Sequence, residues 1–291
     1  LEPRFSARYL LSEGRSVKAS YNRTRQYVHL ISNTTAVQPI DIWKPSDEFV
    51  RPQIGDQVSL GYFQDFEDGN ITSSLEVYYK RLQNVVDFKP GAELLLNPLL
   101  TTDLLLGEGR AYGAELLVRR RAGRFTGWLS YTYSRSERRV DGALPEQQIN
   151  NGDWYPSNFD RPHDLSVVFT YQETPRVSWN LNFTYKTGRP ITYPVSKFTI
   201  NDIAVANFST RNQFRIPDYH RLDFSMKINF NKPEKTDGWR SDLTFSLYNL
   251  YARRNPYSIY FTQTLDGKAP QAFRLATLGT IFPSVTYSFK F

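Results

Sequence analysis

At 291 residues with a formal charge of +7, the chain is long enough for one large all-β unit or two ordinary domains. Its basic residues are scattered along nearly the whole length and crowd only at Arg119-Arg120-Arg121 beside Gly123, so there is no basic face or motif of the kind nucleic acid requires. The mean hydropathy of −0.51 and the lack of any run of about 18 apolar residues exclude a transmembrane helix, and the absence of cysteine excludes disulfide frameworks and Cys-containing zinc sites.

A β-barrel survives those exclusions, because alternation of apolar and polar residues halves its mean hydropathy. Phe5, Ala7, Tyr9 and Leu11 share a face opposite Arg4, Ser6 and Arg8, as side chains of a strand must. After the turn Ser12-Glu-Gly-Arg15, a return strand begins at Val17, Ala19 and Tyr21 and runs to about Leu30. A polar stretch, Ser32 to Gln53, leads to Val58, Leu60 and Tyr62 and a tight turn at Glu67-Asp-Gly-Asn70. Asp65 to Glu76 matches a calcium loop in places, but Gly69 occupies a ligand position and Asn70 the sharp-turn position, so a hairpin turn is expected. Leu75, Val77 and Tyr79 follow. The Leu-rich stretch from Lys89 to Glu108 could hold a short helix.

The next pair has Tyr112, Ala114, Leu116 and Val118, then a turn at Arg121-Ala-Gly-Arg124, then Phe125, Gly127, Leu129, Tyr131 and Tyr133. A long loop from about Asp141 to Asp164 precedes Leu165, Val167, Phe169 and Tyr171. The turn Glu173-Thr-Pro-Arg176 leads to Val177, Trp179, Leu181, Phe183 and Tyr185, opposite Ser178, Asn180, Asn182 and Thr184. Beyond a loop from Gly188 to Tyr219 come Leu222, Phe224, Met226, Ile228 and Phe230, and a turn at Pro233 to Gly238. A long strand starting at Leu243 is expected to reach Phe261, and a last one to run from about Ala272 to Phe291.

The count is about eleven antiparallel strands in an all-β chain. Short turns near 13, 68, 122, 174 and 235 alternate with longer loops near 42, 98, 152, 204 and 266. That asymmetry is the pattern of transmembrane barrels, with short periplasmic turns and long extracellular loops. The closing stretch Pro283 to Phe291 puts Val285, Tyr287, Phe289 and Phe291 on one face and Ser284, Thr286, Ser288 and Lys290 on the other. Such a strand in a soluble domain would leave an aromatic open edge in water. By this topology the first and last strands both run toward the periplasm, and two strands pointing the same way cannot close a barrel by antiparallel pairing. A partial barrel is therefore expected. Leu1-Glu-Pro-Arg4 has neither the charged start nor the apolar core of a signal peptide, so the start of an exported protein would lie upstream.

Three stretches carry a resemblance. Gly107-Glu-Gly-Arg-Ala-Tyr-Gly-Ala-Glu115 resembles a recurrent Gly-x-Glu strand opening, and Asn158-Phe-Asp-Arg-Pro-His163 a loop-to-strand segment written roughly YDxxH. Asn249-Leu-Tyr-Ala-Arg-Arg-Asn-Pro-Tyr257 is similar to a penultimate-strand motif. Together with the terminal aromatic they resemble the C-terminal barrel of TonB-dependent outer-membrane transporters, particularly the Bacteroidota type. Barrels of that family have roughly 22 strands and a plugged lumen, so the resemblance implies that residues 1–291 are the C-terminal half, with the plug, the TonB box and the first half of the barrel absent from this chain. It implies energised nutrient uptake across the outer membrane of a Gram-negative bacterium, no enzymatic activity, and contact with the lipid bilayer. The implied partners are the TonB complex, the outer-membrane insertion machinery reading Tyr287, Phe289 and Phe291, and, in some members of the family, a surface lipoprotein.

No catalytic or metal constellation stands out, and no cofactor is expected. His29, His163 and His220 are far apart, without the clustering a metal needs. Asp160, Arg161 and His163 read as fixing a loop where it re-enters the barrel. Trp43, Trp154, Tyr155 and Phe159 are aromatics in polar loops and form the candidate ligand-binding set; packing of loop against loop is the competing reading. Two rival functions remain open on sequence grounds: an outer-membrane barrel protease or lipase, and a partial barrel captured on the insertion machinery.

Overall fold

Alternation along each strand and tight turns between strands produce one continuous antiparallel sheet. A computed structural model describes residues 1–31, 42–92, 94, 97–200, 203–231, 240–262, 271–276 and 278–290. Its staves are β1 (Arg4–Ser12), β2 (Arg15–Gln26), β3 (Gln53–Phe66), β4 (Ile71–Phe88), β5 (Leu104–Arg120) and β6 (Phe125–Arg139). They continue as β7 (His163–Gln172), β8 (Val177–Lys186), β9 (Tyr219–Asn229), β10 (Arg240–Tyr248) and β11 (Phe282–Lys290). Each pairs with its neighbour in chain order, and the two-residue strand Tyr155–Pro156 adds to the end of β6. The sheet is open, its edges being β1 and β11.

Register shows how the face of each strand is used. The row Tyr21, Val58, Tyr79 and Tyr112 runs across β2 to β5 on one face. Two residues further toward the long loops the row becomes Arg23, Asp56, Arg81, Arg110 and Glu137. Arg23 Nε meets Asp56 Oδ1 at 2.7 Å, Arg110 Nε meets Glu137 Oε2 at 2.7 Å, and Tyr21 donates its hydroxyl to Asp56 Oδ1 at 2.7 Å. A tyrosine girdle capped by a charged belt is how an outward face leaves hydrocarbon for water. Below it the apolar face is uncovered: Val58 and Leu60 are each 52% exposed, and Tyr287 and Phe289 are 53% and 56% exposed. Tyr131 and Phe183 lie on the same outward face, half exposed and not between stacked sheets.

The opposite face is polar. Ser20 Oγ lies 2.7 Å from Ser59 Oγ, and Thr170 Oγ1 donates to Asn180 Oδ1 at 2.7 Å. Gly113, opposite Tyr78 in the register, is a glycine because a Cβ there would collide with the Tyr133 carbonyl and press on the Tyr78 ring.

Among the described residues the buried apolar core lies at the loop end, not between the staves. Ile31, Val50, Val86 and Leu94 form one cluster, and Leu105, Val140, Ile149 and Tyr155 another. Two strands reach into this region further than alternation suggests, β4 to Phe88, where Val85, Val86 and Asp87 are buried in succession, and β5 back to Leu104, where three leucines stand in a row with Leu105 buried and Leu106 exposed. The Leu-rich connection between them contains one helical turn, Leu100–Asp103.

Three strand limits differ from expectation. β2 stops at Gln26, and Val28–Ile31 instead pairs with Ile42–Pro45 in a separate ribbon. β10 ends at Tyr248, short of Phe261, because Asn249 takes a left-handed φ of 55° and turns the chain. Its buried amide donates to the Arg253 carbonyl at 3.0 Å and the Leu278 carbonyl at 3.2 Å, and its oxygen accepts from Arg253 N at 3.0 Å. Pro256–Thr262 then pairs with Gln271–Ala276 in a ribbon of its own, so the last stave starts at Phe282 rather than near Ala272. The turn near 235 and the terminal Phe291 lie outside the described residues.

Candidate functional site

The loop end collects the side chains with specific chemistry. The 155–162 segment runs beside the end of β6: Ser157 N donates to the Ser136 carbonyl at 2.8 Å and Ser134 N to the Pro162 carbonyl at 3.0 Å. Asp160 is its anchor, with a fully buried side chain. One carboxylate oxygen accepts from Ser136 N at 2.6 Å, and the other is paired with Arg215 Nη2. Arg215 also donates to the Asp160 carbonyl at 2.9 Å and the Gly188 carbonyl at 3.0 Å. Asp160 thus fixes the loop where it enters β7. His163, three residues on, faces outward, its Nδ1 2.8 Å from the Tyr131 hydroxyl.

A second buried carboxylate, Asp87, sits at the end of β4. It accepts the Tyr155 hydroxyl at 2.7 Å and Phe88 N at 2.8 Å, with guanidinium nitrogens of Arg138 and Arg211 at 3.6 and 3.7 Å. Burial, followed by the adjacent Asp87 charge, pushes the Tyr155 hydroxyl well above its ordinary pKa, so it stays a donor.

The four aromatics of the sequence-derived set occupy different settings. Tyr155 is 1% exposed and spends its hydroxyl on Asp87. Trp154 is half-buried with Arg110 4.2 Å above its ring centroid, a cation–π contact with the charged belt. Trp43, on the ribbon paired opposite Leu30, is 65% exposed, and Phe159 is 63% exposed. The structure does not bring the four together, and none lines either of two loop-end cavities.

The larger cavity, about 490 Å³, is walled by Phe88, Ile149, Pro190, Phe208 and Phe261, with polar groups from Asn150, Asn158 and Asn212. Arg211 enters its wall but is held by the Phe88 carbonyl at 2.8 Å and by Asp87. The smaller cavity, about 390 Å³, opens on the inner face between the tops of β8, β9 and β10. Neither was visible in the sequence, since the residues involved come from distant parts of the chain; Arg211 and Phe88, in contact at the larger cavity's wall, are 123 positions apart. Two of the sequence motifs reach the cavities: Asn158-Phe-Asp-Arg-Pro-His163 supplies Asn158 to one and Arg161 to the other, and the stretch Asn249 to Tyr257 supplies Asn249, Asn255, Pro256 and Tyr257 to the smaller one.

Open sheet, outward girdle, polar inner face and clustered loops together describe a sector of a transmembrane barrel. A family model described as TonB dependent receptor-like, beta-barrel, matches residues 1–250. The chain belongs to the TonB-dependent receptor barrel family. The turn end therefore faces the periplasm, the loop end faces the cell exterior, and the protein resides in the outer membrane. Among solved structures, the ferric yersiniabactin uptake receptor FyuA from Yersinia pestis aligns with a TM-score of 0.63 at 16% identity, over 99% of this chain and 37% of that one. The ferric-catecholate import receptor Fiu from E. coli K12 aligns with a TM-score of 0.61 at 14% identity, over 99% and 34%. The siderophore receptor PiuA from Acinetobacter baumannii gives 0.60 at 15% identity, over 99% and 35%. The chain thus spans about a third of the length of these receptors, and at such identities the likeness concerns the fold. A search of curated proteins finds no match. The family is one of receptors and transporters rather than enzymes.

Proposed function

We propose that this receptor barrel sector belongs to a transporter that takes up a scarce nutrient across the outer membrane with energy supplied through TonB. In this reading residues 1–291 form the C-terminal half of a roughly 22-stranded barrel, and the plug, TonB box and first barrel half lie outside this chain. The observation that carries the reading is the pairing of a polar inner face with a loop end holding a cavity of about 490 Å³, a size suited to a small ligand. Trp43 and Phe159 present exposed rings for ligand contact, while Trp154 and Tyr155 act through Arg110 and Asp87. The narrower likeness to Bacteroidota transporters, and a surface lipoprotein as partner, rest on the sequence motifs. Assembly is read from β11, where Tyr287 and Phe289 project from an open edge, with Phe291 completing the aromatic signal in the sequence.

The test is nutritional. A strain lacking the protein is offered the limiting nutrient in turn as a ferric catecholate, cobalamin, a short peptide or an oligosaccharide. Uptake of one of these should fall, return with the intact protein, and stop when a protonophore collapses the inner-membrane gradient. Undiminished uptake of all four, or uptake that survives the protonophore, overturns the reading.

A further inference from the structure

The outward face of the staves ends toward the cell exterior in arginine, but only over part of its width. In the loop-end rows of β2 to β6 the register places Arg23, Arg25, Arg81, Arg110, Arg135 and Arg139 on that face, with Asp56, Glu108 and Glu137 as the carboxylates among them. At the loop ends of β7, β8 and β9 the outward residues are His163, Tyr185 and His220, none of them arginine or lysine. The three carboxylates do not balance the guanidiniums around them. Asp56 takes Arg23 with bonds of 2.7 and 3.0 Å, and Glu137 lies 2.7 Å from Arg110 Nε and 3.5 Å from Arg135 Nη2. Arg139 turns to Asp141 in the following loop at 2.6 Å. Glu108 is left between Arg81 and Arg139 at 3.8 Å from each, and the Arg81 side chain stays 64% exposed. Arg25 is exposed as well: Glu2 reaches its backbone N at 3.1 Å, and among the described residues its guanidinium forms no ion pair.

The centre of this patch is built on regular strand. Arg81 and Arg110 stand directly opposite each other in the β4–β5 register, which puts their Cβ atoms about 5 Å apart and lets both side chains reach one small anion. Arg110 is held in place, its Nε on Glu137 and its guanidinium carbon 4.2 Å from the Trp154 ring centroid. One row toward the turns come Tyr79 and Tyr112, then Val77 with Ala114 and Leu75 with Leu116. Leu75, Val77, Tyr79 and Leu116 are exposed. Guanidinium forks above a tall apolar wall complement an amphiphile, with phosphate oxygens on the forks and acyl chains on the wall. Both staves have their neighbours β3 and β6 in place, so the open edges at β1 and β11 lie away from this surface.

We propose that the outward loop-end surface of β4 and β5 is a binding site for a phosphate-bearing lipid of the outer leaflet, with Arg81 and Arg110 on the phosphate and the apolar rows below them against the acyl chains. Arg23 and Arg139 flank the site and add to its positive field. The inference needs the outer-membrane setting and the orientation of the sheet, and it is independent of what the protein transports.

The experiment is native mass spectrometry of the purified full-length protein in neutral detergent, titrated with diphosphoryl lipid A, with the same lipid stripped of its phosphates, and with inorganic pyrophosphate as competitor. Heat-modifiable gel mobility confirms folding of each variant. The wild type should retain the diphosphoryl lipid in a saturable complex, retain the stripped lipid far less, and keep the lipid in the presence of pyrophosphate. Arg81→Gln and Arg110→Gln should each weaken retention about fivefold, the effect of one arginine at an anionic lipid surface. Arg120→Gln, at the turn end of β5, should leave retention unchanged. Equal retention of the phosphorylated and stripped lipids overturns the proposal, since the apolar wall alone would then hold them. Displacement by pyrophosphate overturns it in favour of a site for free phosphate. No retention by the wild type, or equal retention by wild type and both folded β4 and β5 variants, overturns it outright.

Discussion

Replacing Asp160 by Asn removes one charge and almost no volume. The side chain is fully buried, and it satisfies Ser136 N at 2.6 Å on one oxygen and Arg215 on the other, with Arg135 Nε at 3.8 Å. Asn keeps one acceptor, so the Ser136 bond can persist, but it turns an amide toward a guanidinium or leaves that guanidinium uncompensated. Breaking a buried pair on one side costs about 3–5 kcal/mol. Arg215 retains 27% side-chain exposure and can partly rehydrate, which favours the lower end, about 3 kcal/mol. Because loops open locally rather than with the whole barrel, the loss should appear as roughly hundredfold faster amide exchange at Ser136 and Ser157. Amides in the middle of β7, such as Val167, should not change. The assay is hydrogen exchange with site-resolved detection on the purified protein. Exchange at Ser136 that stays within about threefold of wild type would refute the view that Asp160 anchors the loop.

The second buried carboxylate gives a smaller effect: Tyr155→Phe removes one charge-assisted donor from Asp87 and should raise local opening at Val86 and Phe88 by about 1.5–3 kcal/mol, read by the same exchange measurement. Orientation in the membrane is checked by arginine substitution on adjacent residues of β8. Leu181→Arg, on the outward face, should cost about 2–4 kcal/mol in denaturant unfolding from lipid vesicles, whereas Asn182→Arg, on the inner face, should cost far less. The Trp43 ribbon should respond to acid in two windows, followed by protease sensitivity of the ribbon. Asp47 is held at about 2 by Lys44 and by bonds from Val50 N and Phe49 N, so its contribution is complete above the unfolded value of 3.8 and disappears as pH falls toward 2. His29, whose pKa burial lowers from 6.5, binds its proton more readily unfolded, so the ribbon should begin to weaken as pH falls below 6.5. A ribbon equally resistant at pH 7 and pH 3 would contradict both assignments.

The staves were legible because lipid demands one apolar face from every strand and the turn residues punctuate them regularly. Leu129, Val167 and Phe183 align across β6, β7 and β8 as their alternation requires. Legibility ended where that demand ended. At the loop end of β4, Val85, Val86 and Asp87 are all buried, and in β5 the run Leu104, Leu105 and Leu106 is apolar throughout although Leu106 is exposed, so neither stretch offers an alternation of residue type to read. The long strand expected through Asn249 failed for a different reason: φ of 55° at a single residue redirects the chain, and strand propensity on either side of Asn249 hides it. Tyr155 shows the same limit for site residues. Its sequence neighbours, Asp153 and Trp154, suggest an exposed polar loop, yet its partner Asp87 is 68 positions away and carries it inside.

The segment around 211–215 shows how polar contacts tie the loop end together beside its two apolar clusters. Arg211 reaches back to the Phe88 carbonyl and Asp87, and Arg215, four residues later, reaches Asp160. Between them Asn212 donates to the Pro156 carbonyl at 2.8 Å and to Asn158 Oδ1 at 2.7 Å. One short stretch therefore binds the ends of β4 and β6 and the entry to β7, through charges and amides rather than apolar area. A polar clasp keeps its geometry only if every buried group is satisfied, and among the described residues no buried side-chain nitrogen or oxygen lacks a partner. The same stretch borders the larger cavity through Arg211 and Asn212, and Arg215 holds the loop that carries Arg161 to the smaller one. Both cavities are accordingly bordered by residues that the 211–215 stretch holds in place.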